Sequence, residues 1–210
     1  MTGWAWATLA LYGIWLISAF GVRTLSQYRR TGDSGFRGLS GTQGSASWWA
    51  GVLFVVALLG AATAPIATLA GLPLLVDDVP VVHGAGVVVA ALGVYSTLVA
   101  QGAMGASWRV GVDQDERTDL VSGGPFALVR NPIFTAMAVT GLGLALMVPN
   151  VIALASLAAL VIAVELQVRV AEEPYLRRAH GSAYLEYAAT AGRFVPGVGR
   201  LRTGATTTDS

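Results

Sequence analysis

The chain has 210 residues, of which 54% are hydrophobic and only 12% are charged. Because soluble domains carry about a quarter charged residues, this composition indicates a protein whose solvent is lipid. The net charge of +1 argues against nucleic acid as a partner, and the lack of cysteine excludes disulfides, thiolate metal sites and a thiol nucleophile.

Three apolar runs in the first half of the chain predict three membrane-spanning helices. Residues 4–22 are about long enough to cross a bilayer and lack the basic start and cleavage site of a signal peptide. Residues 48–75 form the second run, which Pro65 and Pro73 are expected to kink or end. Residues 79–104 form the third.

Two further runs, residues 133–148 and 151–168, are separated only by Pro149 and Asn150. A Pro-Asn break between two apolar runs predicts a tight helical hairpin. The fourth span covers only about 24 Å at 1.5 Å per residue, so it is short. The sequence therefore predicts an all-α integral membrane fold of about five spans, with spans four and five forming the hairpin.

The thirteen basic residues are all arginine and fall in three segments: between spans one and two, between spans three and four, and after span five. With five spans, these segments lie on one side. The positive-inside rule makes that side cytoplasmic. We therefore expect a multi-pass protein of the inner membrane with its N-terminus outside and its C-terminus, including a short helical tail, in the cytoplasm.

The first cytoplasmic loop, expected over residues 23–47, carries glycine at every third position from Gly32 to Gly44. A flexible linker is the favoured interpretation, and close approach of the backbone to a ligand is the alternative.

Among other motifs, "GLGLAL" at 141–146 lies inside an apolar helix and cannot be a dinucleotide turn. His180 precedes Gly181, a pairing typical of a helix end rather than of catalysis. With only two histidines, we expect no metal site.

An Arg-Asn-Pro triplet stands at the start of span four. Pro132 is suited to the first helical turn and Asn131 to the N-cap. For Arg130 the sequence leaves two interpretations open. The side chain either snorkels to lipid phosphate or forms an anion site together with the helix N-terminus.

Acidic residues gather where span five ends. Glu165 and Arg169 are four residues apart, which predicts an ion pair along one helix face. Glu172 and Glu173 follow, and the hairpin brings them back beside Arg130. Opposite charges at one cytoplasmic rim suit a zwitterionic ligand.

The stretches "GGPFALVRNPIFTAM" and "RVAEEPYLRRAHGSAYLEYAATAGRFVP" resemble the isoprenylcysteine carboxyl methyltransferase family, most closely its small bacterial and archaeal members. The match covers residues 120–197 in order and spacing. The family pattern has histidine where this chain has Asn131 and tyrosine where it has Phe134. These departures remove any acid–base role of the histidine and retain a stacking surface.

The resemblance implies an S-adenosylmethionine-dependent methyltransferase. Its cofactor would lie between the start of span four and the cytoplasmic tail, with Arg130 holding the carboxylate and Glu173 or Glu172 the cationic part. Carried over residue by residue, the implied cofactor-binding set is Val129, Arg130, Asn131, Pro132, Phe134, Glu172, Glu173, Tyr184 and Tyr187. No catalytic residue is assigned.

The end of span three is expected to face the same cavity, which makes Gln101, Trp108 and Arg109 candidates for substrate contact. A membrane-interface anchor is the favoured alternative for Trp108, and snorkelling is the alternative for Arg109. The acidic run at 113–119 is expected to be a solvated loop.

These expectations divide the chain into a three-span region (1–104), a methyltransferase-like region (105–200) and a disordered tail (201–210). The predicted substrate is a small amphiphilic or lipid-like acceptor reached from the bilayer; the sequence leaves open a carboxylate, a phenol or an amine. Two other functions stay open. One is a nicotinamide-dependent membrane reductase of similar fold, and the other is a non-catalytic ligand-binding or scaffold protein.

Overall fold

The computed structural model describes residues 2–35, 38, 41–76, 79–108 and 119–201, and its fold is all-helical, as predicted. Arg109 and residues 202–210 lie outside the described residues, as does most of the acidic run 113–119. Over the described ranges the α-helices are α1 (Thr2–Leu16), α2 (Arg23–Thr31), α3 (Ala46–Leu69), α4 (Pro80–Met104), α5 (Pro125–Leu128), α6 (Pro132–Met147), α7 (Val151–Leu166) and α8 (Glu173–Thr190). Two π-helical segments, π1 (Ile17–Val22) and π2 (Gln167–Glu172), join α1 to α2 and α7 to α8.

Within the described part of the chain, four continuous helices are long and apolar enough to cross a membrane: Thr2–Thr31, Ala46–Leu69, Pro80–Met104 and Val151–Thr190. Helix α6 is a shorter apolar helix of 16 residues. It is the helix that the sequence predicts to be the short fourth span. The protein is therefore an all-α integral membrane protein.

Two predicted boundaries are wrong. The first helix continues through π1 to Thr31, so the loop predicted over 23–47 lies between Thr31 and Ala46. The second span ends at Leu69 and not at residue 75; Pro65 does not end it, because it is buried inside α3. Proline is tolerated within membrane helices where neighbouring groups satisfy the freed backbone.

The predicted hairpin between α6 and α7 is confirmed. Asn150 caps α7 by accepting a hydrogen bond from the Ala153 nitrogen at 2.9 Å. Its Nδ2 donates to the Ala64 carbonyl and to Thr68 Oγ1, both at 2.8 Å. Because Ala64 and Thr68 belong to α3, this one side chain ties the turn to the neighbouring helix.

The two helices of the hairpin pack more closely on other helices than on each other. Helix α6 lies along α4, and α7 lies along α3. Glycine makes both contacts close: a Cβ at Gly143 would collide with the backbone of Ala90, and a Cβ at Gly60 would collide with Ser156. Small residues at such crossings let membrane helices approach closely. The result is two tight helix pairs with space between them at one end of the bundle.

Candidate functional site

A cavity of about 570 Å³ opens at the end of the bundle where α6 begins and α4 ends. Its walls come from π1, the start of α3, the end of α4, the start of α6 and the segment from the end of α7 into α8. Small-molecule sites have volumes of about 300–1,000 Å³, so this cavity has room for a cofactor. One described arginine from each of the three basic segments lies beside these walls: Arg23, Arg130 and Arg193.

Most of the residues singled out from the sequence line this cavity. They are Arg130, Asn131, Pro132, Phe134, Glu172, Glu173, Tyr184 and Tyr187, together with Gln101 and Trp108. Val129 is not among the lining residues; it is buried behind the wall in an isolated parallel bridge with Gly192. Arg109 lies outside the described residues. The roles assigned to these residues stay predictions.

Arg130 is inside the protein and does not snorkel to the bilayer surface. Its residue surface is 6% exposed, and Nη2 donates to Glu173 Oε1 at 2.8 Å and to the Gly199 carbonyl at 3.0 Å. Nη1 donates to the carbonyls of Ala188 and Ala191 at 3.0 and 2.8 Å. The snorkelling interpretation is therefore wrong, because the guanidinium is held by the C-terminal part of the chain.

Arg193 completes a buried network around Glu173. Its Nε donates to Glu173 Oε1 at 2.7 Å and its Nη2 to Oε2 at 3.0 Å. The hydrogen bond to Glu173 raises the pKa of Arg193 above its usual value. Two arginines and one glutamate leave a net charge of +1 beside the cavity, which favours an anionic ligand group.

Arg193 lies in the stretch "RVAEEPYLRRAHGSAYLEYAATAGRFVP" that carries the resemblance, but the sequence assigned it no role. Its partner Glu173 is 20 residues away, so only the resemblance, and no local spacing, could have predicted that Arg193 belongs to the site. Glu172 lies beside this network and lines the cavity, half-buried.

Backbone pairing fixes the entrance of α6. The Arg130 nitrogen donates to the Gly192 carbonyl at 2.7 Å, and the Asn131 Nδ2 donates to the Arg193 carbonyl at 3.1 Å. Asn131 is the N-cap residue and Pro132 is the first helical residue, as predicted. However, the Asn131 side chain does not cap the helix, because it is directed to Arg193 instead.

Aromatic side chains form the wall contributed by α8. Tyr184 is 1% exposed, and its ring centroid is 6.3 Å from that of Tyr187 in an edge-to-face arrangement. The Tyr187 hydroxyl donates to the Phe126 carbonyl at 2.7 Å. This bond ties α8 to α5 and leaves both rings against the cavity.

Trp108 is a buried wall residue and not an interface anchor. It is 3% exposed, and the Arg23 guanidinium lies 5.2 Å from its ring centroid. Arg23 Nη2 also donates to the Gly105 carbonyl at 2.5 Å. The anchor interpretation favoured from the sequence is wrong, because a tryptophan enclosed by a cation and by neighbouring backbone is not available to lipid headgroups.

The described part of the glycine-rich loop packs against this wall. Gly35 has a φ of +72°, and a Cβ there would lie 3.0 Å from the Trp108 carbonyl oxygen. Gly38 lines the cavity. The loop is therefore part of the site as well as a connection between α2 and α3.

Both π-helical segments adjoin the cavity. Phe20 of π1 and Gln167 of π2 line it, and the Ala19 carbonyl in π1 accepts a hydrogen bond from Gln101. π-helical turns often occur at functional sites. The sequence carries no signal for either segment, because a π turn is set by the packing around it.

Two predictions about α7 and α8 hold. Glu165 and Arg169 form the expected ion pair on an exposed face. Gly181 has a φ of +54° and interrupts α8, as expected of a glycine at a helix end. Neither feature contributes a lining side chain to the cavity.

Comparison with known proteins identifies a family whose sequence model matches the part of the chain that forms most of the cavity. The model of the family described as "Phospholipid methyltransferase" matches residues 81–183, from the first turn of α4 to the middle of α8. A search of curated proteins finds no match. The matched range holds Gln101, Arg130 and Glu173, which the fold brings to one cavity. Residues 81–183 thus match the phospholipid methyltransferase family, an isoprenylcysteine carboxyl methyltransferase-like family of membrane methyltransferases.

Proposed function

We propose that this membrane methyltransferase moves a methyl group from S-adenosylmethionine to a small amphiphilic or lipid-like acceptor at the cavity. The observation that carries the proposal is the shared cavity. Residues from opposite ends of the matched range, Gln101 and Glu173, line it together with Arg130. Its volume and its mixture of aromatic, acidic and basic lining suit a cofactor with both apolar and charged parts.

The donor set fits the cofactor. Arg130 Nε is a buried donor with no hydrogen-bond partner among the described residues, in a network that carries a net positive charge. It is suited to the cofactor carboxylate. Glu173 and Glu172 both line the cavity, and either carboxylate is a candidate for the cationic part.

When bound, S-adenosylmethionine supplies a methyl group activated by the sulfonium. The residues of the chain contribute by binding, orienting and excluding water, which can supply much of the rate acceleration in a methyl transfer. Phe134 and Tyr184 offer apolar faces against the cofactor. Trp108 and Phe20 line the same cavity and offer apolar faces to the acceptor.

The distribution of arginine supports a cytoplasmic location for the cavity. Arg23, Arg130 and Arg193 lie at its end of the bundle. By the positive-inside rule this end faces the cytoplasm, where the cofactor is made, while the acceptor arrives through the surrounding inner-membrane bilayer. The N-terminus would then be outside and the C-terminus inside.

Titration calorimetry on the purified protein in nanodiscs tests this proposal. We expect S-adenosylhomocysteine to bind and NADPH not to bind. Replacing Glu172 by Gln removes one charge from the cavity, so Glu172→Gln should weaken S-adenosylhomocysteine binding by about tenfold. The matched control is Glu165→Gln, a neutralisation on the exposed face of α7, which should bind as the parent does. Binding of NADPH instead of S-adenosylhomocysteine would favour the reductase.

A further inference from the structure

Two cavities adjoin each other inside the bundle. The main cavity, of about 570 Å³, and a second one of about 30 Å³ share the lining residues Leu58 of α3 and Met137 of α6. Among the described residues, no other belongs to both linings. Along α3 and along α6, these two are also the lining residues of the main cavity that lie furthest into the bundle. Leu58 and Met137 therefore form the boundary between the two cavities.

The lining of the main cavity changes from charged to apolar towards this boundary. Arg130 lines it where α6 begins, whereas Met137 lines it about two helical turns further along. On α3 the lining runs from Ala50 to Leu58, about 12 Å at 1.5 Å per residue, and consists of apolar residues and one glycine. An amphiphile fits this cavity with its head group near Arg130 and its tail directed inwards.

The second cavity offers no free polar group. Four of its lining side chains carry a hydroxyl, and each hydroxyl donates to a backbone carbonyl at 2.6–2.9 Å: Thr8, Tyr12, Thr140 and Ser156. The indole nitrogen of Trp15 is fully buried and presents no accessible donor. Cavities without polar partners for water stay dry and accept apolar groups. The second cavity is therefore suited to methylene groups and not to a head group.

Packing holds the boundary in place. The Tyr12 hydroxyl donates to the Leu58 carbonyl at 2.9 Å, which ties α3 to α1 at this residue. Met137 is 4% exposed and belongs to the same hydrophobic cluster as Tyr12 and Trp15. A tail that extended past Leu58 and Met137 would have to displace these packed side chains, and inserting extra methylenes into a packed core is destabilising.

We propose that the tail of the methyl acceptor runs from the start of α6 to Leu58 and Met137, and that these two side chains limit its length. This inference rests on the proposed function and narrows the acceptor to amphiphiles whose tail fits the apolar part of the main cavity. Leu58 and Met137 are then residues that determine specificity. The competing route leaves the cavity past Val55, which lines it and is 47% exposed. A tail on that route extends into lipid, and its length does not matter.

A series of 4-alkylphenols with octyl, dodecyl and hexadecyl tails tests the inference. We would measure the amount of each probe that protein-containing nanodiscs retain in excess of empty nanodiscs, by mass spectrometry. Because lipid is as apolar as the cavity wall, a longer tail gains nothing by leaving the bilayer. We expect the hexadecyl probe to bind about tenfold more weakly than the octyl probe, because its tail exceeds the depth of the cavity.

Variants locate the limit. Met137→Ala removes the side chain between the two cavities, so it should bind the hexadecyl probe about tenfold more tightly than the parent and the octyl probe as the parent does. Leu58→Ala opens the same boundary from α3 and should show the same gain. The matched control is Met147→Ala, which removes an equally buried methionine of α6 that lines neither cavity. It should retain the preference of the parent.

The inference is wrong if the parent retains the octyl and hexadecyl probes alike, as the route past Val55 requires. It is also wrong if neither boundary variant reduces the preference, or if Met147→Ala reduces it as much as Met137→Ala. S-adenosylhomocysteine affinity, measured separately on the same samples, should be unchanged in all three variants. A tail preference without S-adenosylhomocysteine binding contradicts the proposed function alone, and the opposite result contradicts this inference alone.

Discussion

At the scale of single residues, the main feature is a buried carboxylate between two arginines. The side chains of Arg130, Glu173 and Arg193 are 2%, 7% and 15% exposed. Burying charge is costly, and the cost is offset only when every group is paired and hydrogen-bonded. Glu173 meets this condition with three hydrogen bonds. The network therefore fixes the C-terminal segment against the start of α6 and shapes the cavity wall.

Neutralising this carboxylate should be strongly destabilising. Glu173→Gln leaves two buried guanidinium groups without a counter-charge, and breaking a buried pair in this way costs about 3–5 kcal/mol. Glu165→Gln removes the same charge from the exposed pair with Arg169, where the cost is about 0.3–0.5 kcal/mol. Thermal unfolding of both variants in the same detergent measures the difference. Similar unfolding temperatures for the two would contradict the buried network as a stabilising unit.

At the scale of elements, glycine decides which helices pair. Gly143 of α6 faces Ala90 of α4 at backbone distance, whereas Gly141, two residues earlier, faces only the ends of Leu157 and Leu160 side chains. Without a hydrophobic force between helices in lipid, such close packing is a main source of helix association. The α4–α6 contact thus depends on one glycine far more than on its neighbour.

Adding a single methyl group at each position tests this difference. Gly143→Ala forces the new Cβ into the backbone of Ala90, so the helices must separate, at a cost of about 1–3 kcal/mol. In Gly141→Ala the flexible leucine ends can move by a few tenths of an ångström, and alanine is the better helix former. We expect a lower unfolding temperature for Gly143→Ala only. Equal destabilisation of the two variants would show that the contact does not depend on backbone approach.

The π-helical segments are also features of this scale. They lie where the two longest helices pass the cavity, and each places a side chain in its wall. Without the π turn, the side chains that follow would point in directions rotated by a fraction of a turn about the helix axis. The register of Arg23 against Trp108, and of Glu173 against Arg130, therefore depends on the π turns.

At the scale of the whole molecule, the cavity end carries Arg23, Arg130 and Arg193, and the other end carries the hairpin turn. Because the chain has no cysteine, single cysteines report sidedness without background. Thr42→Cys lies in the loop between α2 and α3, and Leu75→Cys in the connection from α3 to α4; both positions are exposed.

We expect a membrane-impermeant maleimide to label Leu75→Cys on intact cells and Thr42→Cys only after the membrane is opened. The reason is the positive-inside rule acting on the arginine segments. Mass-tag shifts on gels measure both labelling reactions. The reverse pattern would place the cavity outside the cytoplasm, and labelling of both in intact cells would contradict an odd number of crossings between them.

The sequence by itself determined the class of the protein, the hairpin and most of the described residues that line the cavity. Apolar run length, arginine placement and motif order can all be read from the sequence. The bilayer constrains the first two in any membrane protein, because a span must be apolar and basic loops stay on the cytoplasmic side. Pro132 in the first turn of α6 followed from local backbone chemistry alone.

Only the tertiary structure decided what those residues do to one another. The pairing of Arg130 with Glu173 spans 43 residues, and the bond from Gln101 to Ala19 spans 82. Which donor meets which acceptor depends on helix rotation, glycine contacts and burial. None of these produces a periodic pattern in the sequence from which it could be predicted. For the same reason Trp108 and Arg130, which suit a lipid interface by composition, are enclosed in the protein: partners from distant segments replace the lipid headgroups.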